Sequence, residues 1–294
     1  MQHQALSEED SQSRKSYYAM LHESIDSEAA AGNDNTLDVT IGSGIYATLA
    51  RCAISNDSPA AFDFEMRSLA YTTYQAAKNY DWKNPKQERL VFLLLQAKNI
   101  GTLNRKYTDN AGNVFSEAAQ TSNGARIFAD MPFFVEDFLH MWVRDLSSLS
   151  PEQRRDLAAF MAKLVSVGFS DKLAVVGLWL FRRVFESPVH ELDGPALHWM
   201  EAVSAWYMYA GHKLMSLCGS DFSDMPEEFA VPGELAQAAG IEGTGFSVAR
   251  WKFWQERVKE ICRTLPLGIE NEVALPPQSL YGLAELEPLF FGTH

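Results

Sequence analysis

Cysteine is scarce in this 294-residue chain, and its three residues, Cys52, Cys218 and Cys262, stand far apart with no CxxC pair. An odd, dispersed set argues against a closed disulfide framework and fits a reducing compartment. Positive charge is in deficit as well. With 25 Lys and Arg against 38 Asp and Glu, the formal net charge is −13. That balance opposes binding to polyanions, because neutralising phosphates requires clustered cations. Nucleic acid and acidic membranes are therefore not expected as partners. Long apolar runs are missing too: residues 173–181 form the longest uninterrupted apolar run, about half of what a bilayer-spanning helix needs. The polar, acidic residues 1–15 have neither the apolar core of a signal peptide nor the Arg-rich character of a mitochondrial presequence. A cytoplasmic location is the expectation.

Motifs that specify a chemistry are also wanting. Gly42-Ser43-Gly44 lacks the lysine of a Walker loop and the third glycine and preceding strand of a dinucleotide fingerprint. The chain contains no GxSxG elbow, no HExxH and no aspartate-rich diphosphate motif. No cysteine lies beside a histidine, so burial inside helices is the default for all three. Nothing here calls for a cofactor.

What is present is a large supply of core-forming residues, 47% hydrophobic and 12% aromatic, enough for a substantial interior. Apolar residues recur at helical spacing almost throughout. Residues 1–13 read as a disordered tail. Tyr17, Met20, Leu21 and Ile25 then suggest a helix stopped at Gly32-Asn33-Asp34-Asn35, with a second over 36–54 despite Gly42 and Gly44. Pro59 opens a helix to Lys78, and 87–100 form another. Residues 101–123, polar and rich in Gly and Asn, are too long for an ordinary connection and read as a mobile loop or lid.

Helices follow over 133–146, 151–167 and 171–186. The last is apolar around its circumference and belongs at the centre of the bundle. Pro195 opens a long helix over 196–217. A Gly/Pro/Asp-rich connector then runs from 219 to 245 with a short helix at 234–239. A further helix spans 247–264, and breaks at Pro266 and Pro276-Pro277 leave a tail helix near 280–287. No segment alternates convincingly at period two, and no linker divides the chain. The reading is all-α: a single helical bundle domain over 14–294 with roughly ten helices.

Three groups of residues carry a resemblance. One is Trp206 with Tyr209-Ala210-Gly211; the second is Phe246-Ser247 followed by Arg250-Trp251, Phe253-Trp254 and Arg257; the third is the Leu, Arg and Glu spacing of residues 178–186. Through them, residues from about Leu90 to Arg257 resemble a fungal all-helical family known as domain of unknown function 3632. The resemblance implies an intracellular helical protein, brings no catalytic residues to carry over, and suggests a small-molecule role through relatives found among secondary-metabolism genes. It does not reach residues 1–56 or 275–294.

In the signature segment Trp251, Trp254, Val258, Ile261 and Leu265 share a narrow helical arc, with Arg250 and Arg257 about a fifth of a turn away. One reading pairs both guanidiniums with aromatics or with carboxylates of a neighbouring helix. The other makes Arg250 and Arg257 an anion clamp at a pocket rim, with Trp254, Trp206 and Tyr209 as substrate-binding aromatics. On the long helix His198, Glu201, Tyr209 and His212 lie opposite the apolar face of Trp199, Val203, Trp206, Tyr207, Ala210 and Leu214. His198, Glu201 and His212 are the candidate acid–base groups, although a solvated face is the simpler account of them. Asp137-x-x-His140 and the reversed His198-x-x-Glu201 do not match the Glu-x-x-His repeat of a di-iron bundle, so no metal is expected. Two functions stay open: a cofactor-independent enzyme or ligand binder acting on an apolar small molecule of secondary metabolism, and a non-catalytic interaction or scaffold protein.

Overall fold

The computed structural model describes residues 35–54, 58–109, 111–188 and 197–264, together with 16–17, 19–20, 23–28 and 30–31. The side chains of His198 and Cys262 fall outside the described residues, as do the tail at 1–13, the stop at Gly32-Asn33-Asp34, the helix start at Pro195, the breaks at Pro266 and Pro276-Pro277 and the helix at 280–287. The architecture is helical, with one two-stranded hairpin, and its backbone contacts gather into two compact units, Met1–Asp145 and Leu146–His294.

The first unit contains α1 (Asn35–Ile54), α2 (Pro59–Asn79), α3 (Pro85–Asn99), β1 (Asn104–Thr108), β2 (Val114–Ala118), α4 (Ile127–Asp130) and α5 (Phe134–Asp145). Pro59 and Pro85 occupy first-turn positions, where a missing N–H costs nothing. The Asn84 side chain caps α3 by accepting from the Lys86 amide at 3.0 Å. Phe62, Met66, Leu69, Ala70, Thr73, Tyr74 and Ala77 put one face of α2 in the core. Its last turn is closed by the buried Gln87, whose Nε2 donates to the Ala77 and Tyr80 carbonyls at 3.3 and 2.9 Å. From α5, Phe134, Phe138, Met141 and Trp142 face inward, and Phe138 meets Tyr74 edge-on at 5.5 Å between ring centroids.

Within the stretch 101–123, read from the sequence as a mobile loop or lid, residues 104–118 have regular structure. They form an antiparallel hairpin, registered from Asn104 opposite Ala118 to Thr108 opposite Val114, that packs on α1. Only β1 alternates in burial, while β2 is almost wholly exposed, so no period-two hydrophobic pattern marks the pair. Polar chemistry holds it instead. Asp109 Oδ1 accepts from the Ala111 and Asn113 amides at 2.9 Å each, Arg105 bridges to Glu117 at 2.5 Å, and Tyr107 stacks on Phe115.

The second unit contains α6 (Pro151–Ser166), a single 3-10 turn (Asp171–Leu173), α7 (Ala174–Phe185), α8 (Leu197–Gly219), α9 (Glu227–Ala230), α10 (Glu234–Ala238) and α11 (Val248–Thr264). A capping box opens α6: the Gln153 amide donates to Ser150 Oγ at 3.2 Å and the Ser150 amide to Gln153 Oε1 at 3.1 Å. As its apolar circumference implies, α7 is enclosed on nearly every side. The largest helix contact joins α6 to α8. Arg155 meets Glu201 and Lys163 lies over Tyr209, so the pairing advances in the same direction along both helices and they run parallel.

Candidate functional site

The signature residues assemble inside the second unit around one carboxylate, Glu186, just beyond the end of α7. Arg250 of α11 grips it with two parallel bonds, Nε to Oε1 at 2.6 Å and Nη2 to Oε2 at 2.9 Å. Trp254 Nε1 donates to Oε1 at 2.7 Å and the Gly233 amide to Oε2 at 2.5 Å. The remaining Arg250 N–H groups reach the carbonyls of Ala230, Gly245 and Val231 at 2.7, 2.8 and 3.4 Å. Both charges are sealed from solvent, with side chains 1% and 0% exposed. A buried pair survives in low dielectric only when its lone pairs and protons are all matched, and here they are. Gly233 is required by the approach itself, because a Cβ there would stand 2.7 Å from Glu186 Cβ. Arg257, seven residues and about two turns further along, donates through Nε to the Phe185 carbonyl at 3.0 Å and pairs with Glu260.

The aromatic members complete this core. Trp254 packs edge-on against Phe181 at 4.9 Å, Tyr207 stacks on Phe181 at 5.0 Å, and Trp251 is fully buried beside Tyr207. Trp206 is buried on Gly177, where an added Cβ would meet the indole at 2.9 Å. The indole Nε1 of Trp206 and the hydroxyl of Tyr207 are buried without a hydrogen-bond partner, and burial pushes the Tyr207 hydroxyl far above its ordinary titration range. Arg250 thus spends its N–H groups on a carboxylate and carbonyls of neighbouring segments, and Arg257 on the Phe185 carbonyl and on Glu260 of its own helix, with Arg257 Nη2 buried and unpartnered.

The polar face of α8 meets α6. Glu201 bonds Arg155 Nη1 at 3.1 Å, and Tyr209 is half-buried with Lys163 Nζ 4.4 Å from its ring centre. His212 is exposed. His198 and His212 stand fourteen residues apart along α8, about 21 Å at the helical rise. In the first unit Asp137 pairs with Arg67 at 2.5 Å and His140 is exposed. Among the described residues no three His, Cys, Asp or Glu side chains converge in a metal-holding group.

A concave site lies elsewhere, wholly within the first unit. A pocket of about 370 Å³ opens between α1 and α2. Ile41, Ala47, Phe64 and Leu69 supply apolar wall, and Tyr17 closes one side with its ring 5.3 Å from that of Phe64. The polar lining comprises Thr48, Arg51, Glu65, Ser68 and Thr72. Arg51 Nε and Glu65 Oε1 form an ion pair at 2.5 Å. Thr48 Oγ1 donates to the Gly44 carbonyl at 3.0 Å and Thr72 Oγ1 to the Ser68 carbonyl at 2.8 Å, whereas Ser68 Oγ is buried with no partner. Behind this wall lies Cys52, its thiol pushed up to about 11 by burial and by the negative charge of Glu65.

Gly44 forms part of the floor, and a Cβ built there meets nothing within 4 Å. None of these lining residues was singled out as a site in the sequence reading, which placed its candidates on α8 and α11. The available signal was Gly44 itself, a glycine in mid-helix that neither close packing nor a left-handed backbone demands.

A helical bundle closed by a carboxylate–guanidinium–indole clasp is the class of protein these coordinates define. Residues 71–258 match the family described as "Protein of unknown function (DUF3632)", and the chain belongs to that family. It is 32% identical, over 218 residues, to the "Oxopyrrolidines biosynthesis cluster protein G" of Penicillium oxalicum, an alignment covering 68% of this chain and 60% of the relative. The chain thus spans less than two thirds of that relative's length. No solved structure matches the chain. Among the described residues no helix is long and apolar enough to cross a membrane.

Proposed function

We propose that the chain is a small-molecule-binding protein of secondary metabolism, with the α1–α2 pocket as its ligand site. The observation that carries this reading is the pocket's composition: a mixed lining in which an apolar wall meets three serine and threonine residues and one ion pair, a build suited to a small molecule with an apolar body and a few polar groups. The relative named for an oxopyrrolidine biosynthesis cluster supports the metabolic setting. Binding is favoured over catalysis, since the α8 candidates are spread along one helix and the pocket's carboxylate is held by an arginine. The pocket precedes the family match almost entirely, as only Thr72 of its lining falls within residues 71–258. Its ligand is therefore a property of this member more than of the family.

Native mass spectrometry of purified protein exposed to organic extracts of a fungal culture tests the reading. The wild-type chain should retain a small-molecule adduct, and Gly44→Leu, which fills the floor, should lose it while Gly42→Leu, outside this pocket, should not. Equal adducts on all three proteins would refute the site. A second reading, an interaction protein, draws on the open groove between α1 and α3 lined by Ile45, Leu93, Ala97 and Ile100. It requires that Ile45→Asp abolish capture of a protein partner and that Gly44→Leu leave capture intact.

A further inference from the structure

We infer that Arg154 and Arg183 of the second unit form an anion clamp seated on Trp199, a site for the carboxylate or phosphate group of a small ligand. It is separate from the α1–α2 pocket and does not depend on it. Three helices build it: Arg154 stands near the start of α6, Arg183 in the last turn of α7 and Trp199 in the first turn of α8. The Cζ atoms of Arg154 and Arg183 lie 4.3 and 5.2 Å from the centre of the Trp199 ring. One buried indole thus seats two guanidiniums. Trp179 props that indole edge-on, with 5.3 Å between ring centroids.

Two like charges so placed repel, and the repulsion is relieved by a carboxylate set between them. Carboxylates are in surplus in this chain, 38 against 25 Lys and Arg. Eight other arginines each pair with an Asp or Glu. Among the described residues Arg154 and Arg183 make neither an ion pair nor a hydrogen bond, so scarcity of partners does not explain them. The nearby acids are engaged otherwise: Glu152 accepts from Ser150 Oγ at 2.7 Å, Asp156 and Glu201 pair with Arg155, and Glu186 lies in the clasp. Burial, and after it the charge of Arg183, lower the Arg154 pKa, which the charge of Glu152 partly restores. The guanidinium nevertheless stays protonated. Arg154 Nε is sealed without an acceptor, so stacking fixes the plane of the group. Its terminal Nη groups are not sealed and donate to no described atom, and Arg183 is exposed. A guanidinium donates and never accepts. The complementary group is therefore an acceptor with negative charge, and a carboxylate or phosphate presents its oxygens to such forks. A neutral amide or alcohol would leave the repulsion standing. The net charge of −13 opposes anions at long range, so capture depends on these two contacts.

Fluorine NMR of the full chain labelled with 5-fluorotryptophan tests the clamp, the Trp199 signal being assigned through Trp199→Phe. Inorganic phosphate, acetate and the neutral acetamide are titrated at an ionic strength held constant with sodium chloride. Phosphate and acetate should move the Trp199 signal along a saturable curve, and acetamide should leave it in place. Arg154→Gln and Arg183→Gln should each weaken the anion roughly tenfold or more, with the other indole signals unmoved as a check on the fold. Arg182→Gln, which loses only a bond to the Glu228 carbonyl, should bind as wild type does. A preference for phosphate of roughly tenfold or more supports the clamp and assigns it a phosphorylated ligand; parity or the reverse supports it and assigns a carboxylate. The clamp is overturned if neither anion saturates on the wild-type chain, if acetamide matches acetate, or if either glutamine variant binds as wild type does. The wild-type titration decides even where a variant fails to fold.

Discussion

Arg250 makes its bonds to Glu186 and to three backbone carbonyls in a setting sealed from the surface, so its loss strands a carboxylate in low dielectric. Removing one partner of such a pair costs about 3–5 kcal/mol. Arg250→Ala should destabilise the chain by that amount in urea denaturation. Arg250→Lys should recover only a minor part, since an ammonium cannot fill a planar fork. Trp254→Ala should be comparably damaging, about 3–5 kcal/mol, because it opens a cavity beside Phe181 and also removes a donor from Glu186. At Cys52 the thiol raised to about 11 is protonated at neutral pH. The folded chain holds that proton more tightly than the unfolded chain. Its stabilising contribution is therefore complete at neutral pH and is lost as pH rises from the ordinary thiol range through about 11. Iodoacetamide at about pH 8 should accordingly label Cys52 a hundredfold or more slowly than a free cysteine. Labelling at the free-thiol rate would contradict the buried placement.

At the scale of the element, α1 is the informative helix. Gly44 sits mid-helix, where alanine is more favourable by about 0.5–1 kcal/mol, and an added methyl meets only open space. Gly44→Ala should therefore raise the melting temperature while weakening whatever ligand the pocket holds. A purely structural glycine would give the opposite sign of stability change. Helices were the most legible feature of the sequence, because α5 and α6 advertise themselves through apolar periodicity, a proline at the first turn of α6 and a capping box. The hairpin was not legible: β2 buries almost nothing, so its pairing rests on an Asp–Asn turn and an Arg–Glu bridge that leave no alternating pattern. The clasp was half legible. Arg250, Trp254 and Arg257 stand out by type and spacing, but their partner Glu186 lies 64 residues before Arg250, a distance that periodicity does not span. The pocket was hidden for another reason. It is made by what α1 lacks, and small side chains read as weak helix formers before they read as space.

For the whole molecule, two compact units share one acidic chain of net charge −13. Contacts concentrated within each unit imply that damage in one is felt first in that unit. Hydrogen exchange on Arg250→Ala should show faster exchange in α7, α9, α10 and α11, with amides of α2 and α3 close to their wild-type rates. Uniform acceleration from α1 to α11 would show that the two units melt as one cooperative body. The family match covers the second unit down to Val258 and the first from Tyr71 onward.

Between Gly219 and Gly245 the backbone has the composition of a nick site, rich in Gly, Pro and Asp and carrying only the short α9 and α10. Yet Ala230, Val231, Gly233 and Gly245 are each tied to Arg250 or Glu186. One guanidinium and one carboxylate therefore act on this connector as a cross-link would, drawing its middle and its end to the same point without a covalent bond. A protease that cuts by local unfolding should find the segment sealed, and should open it only when that knot is untied.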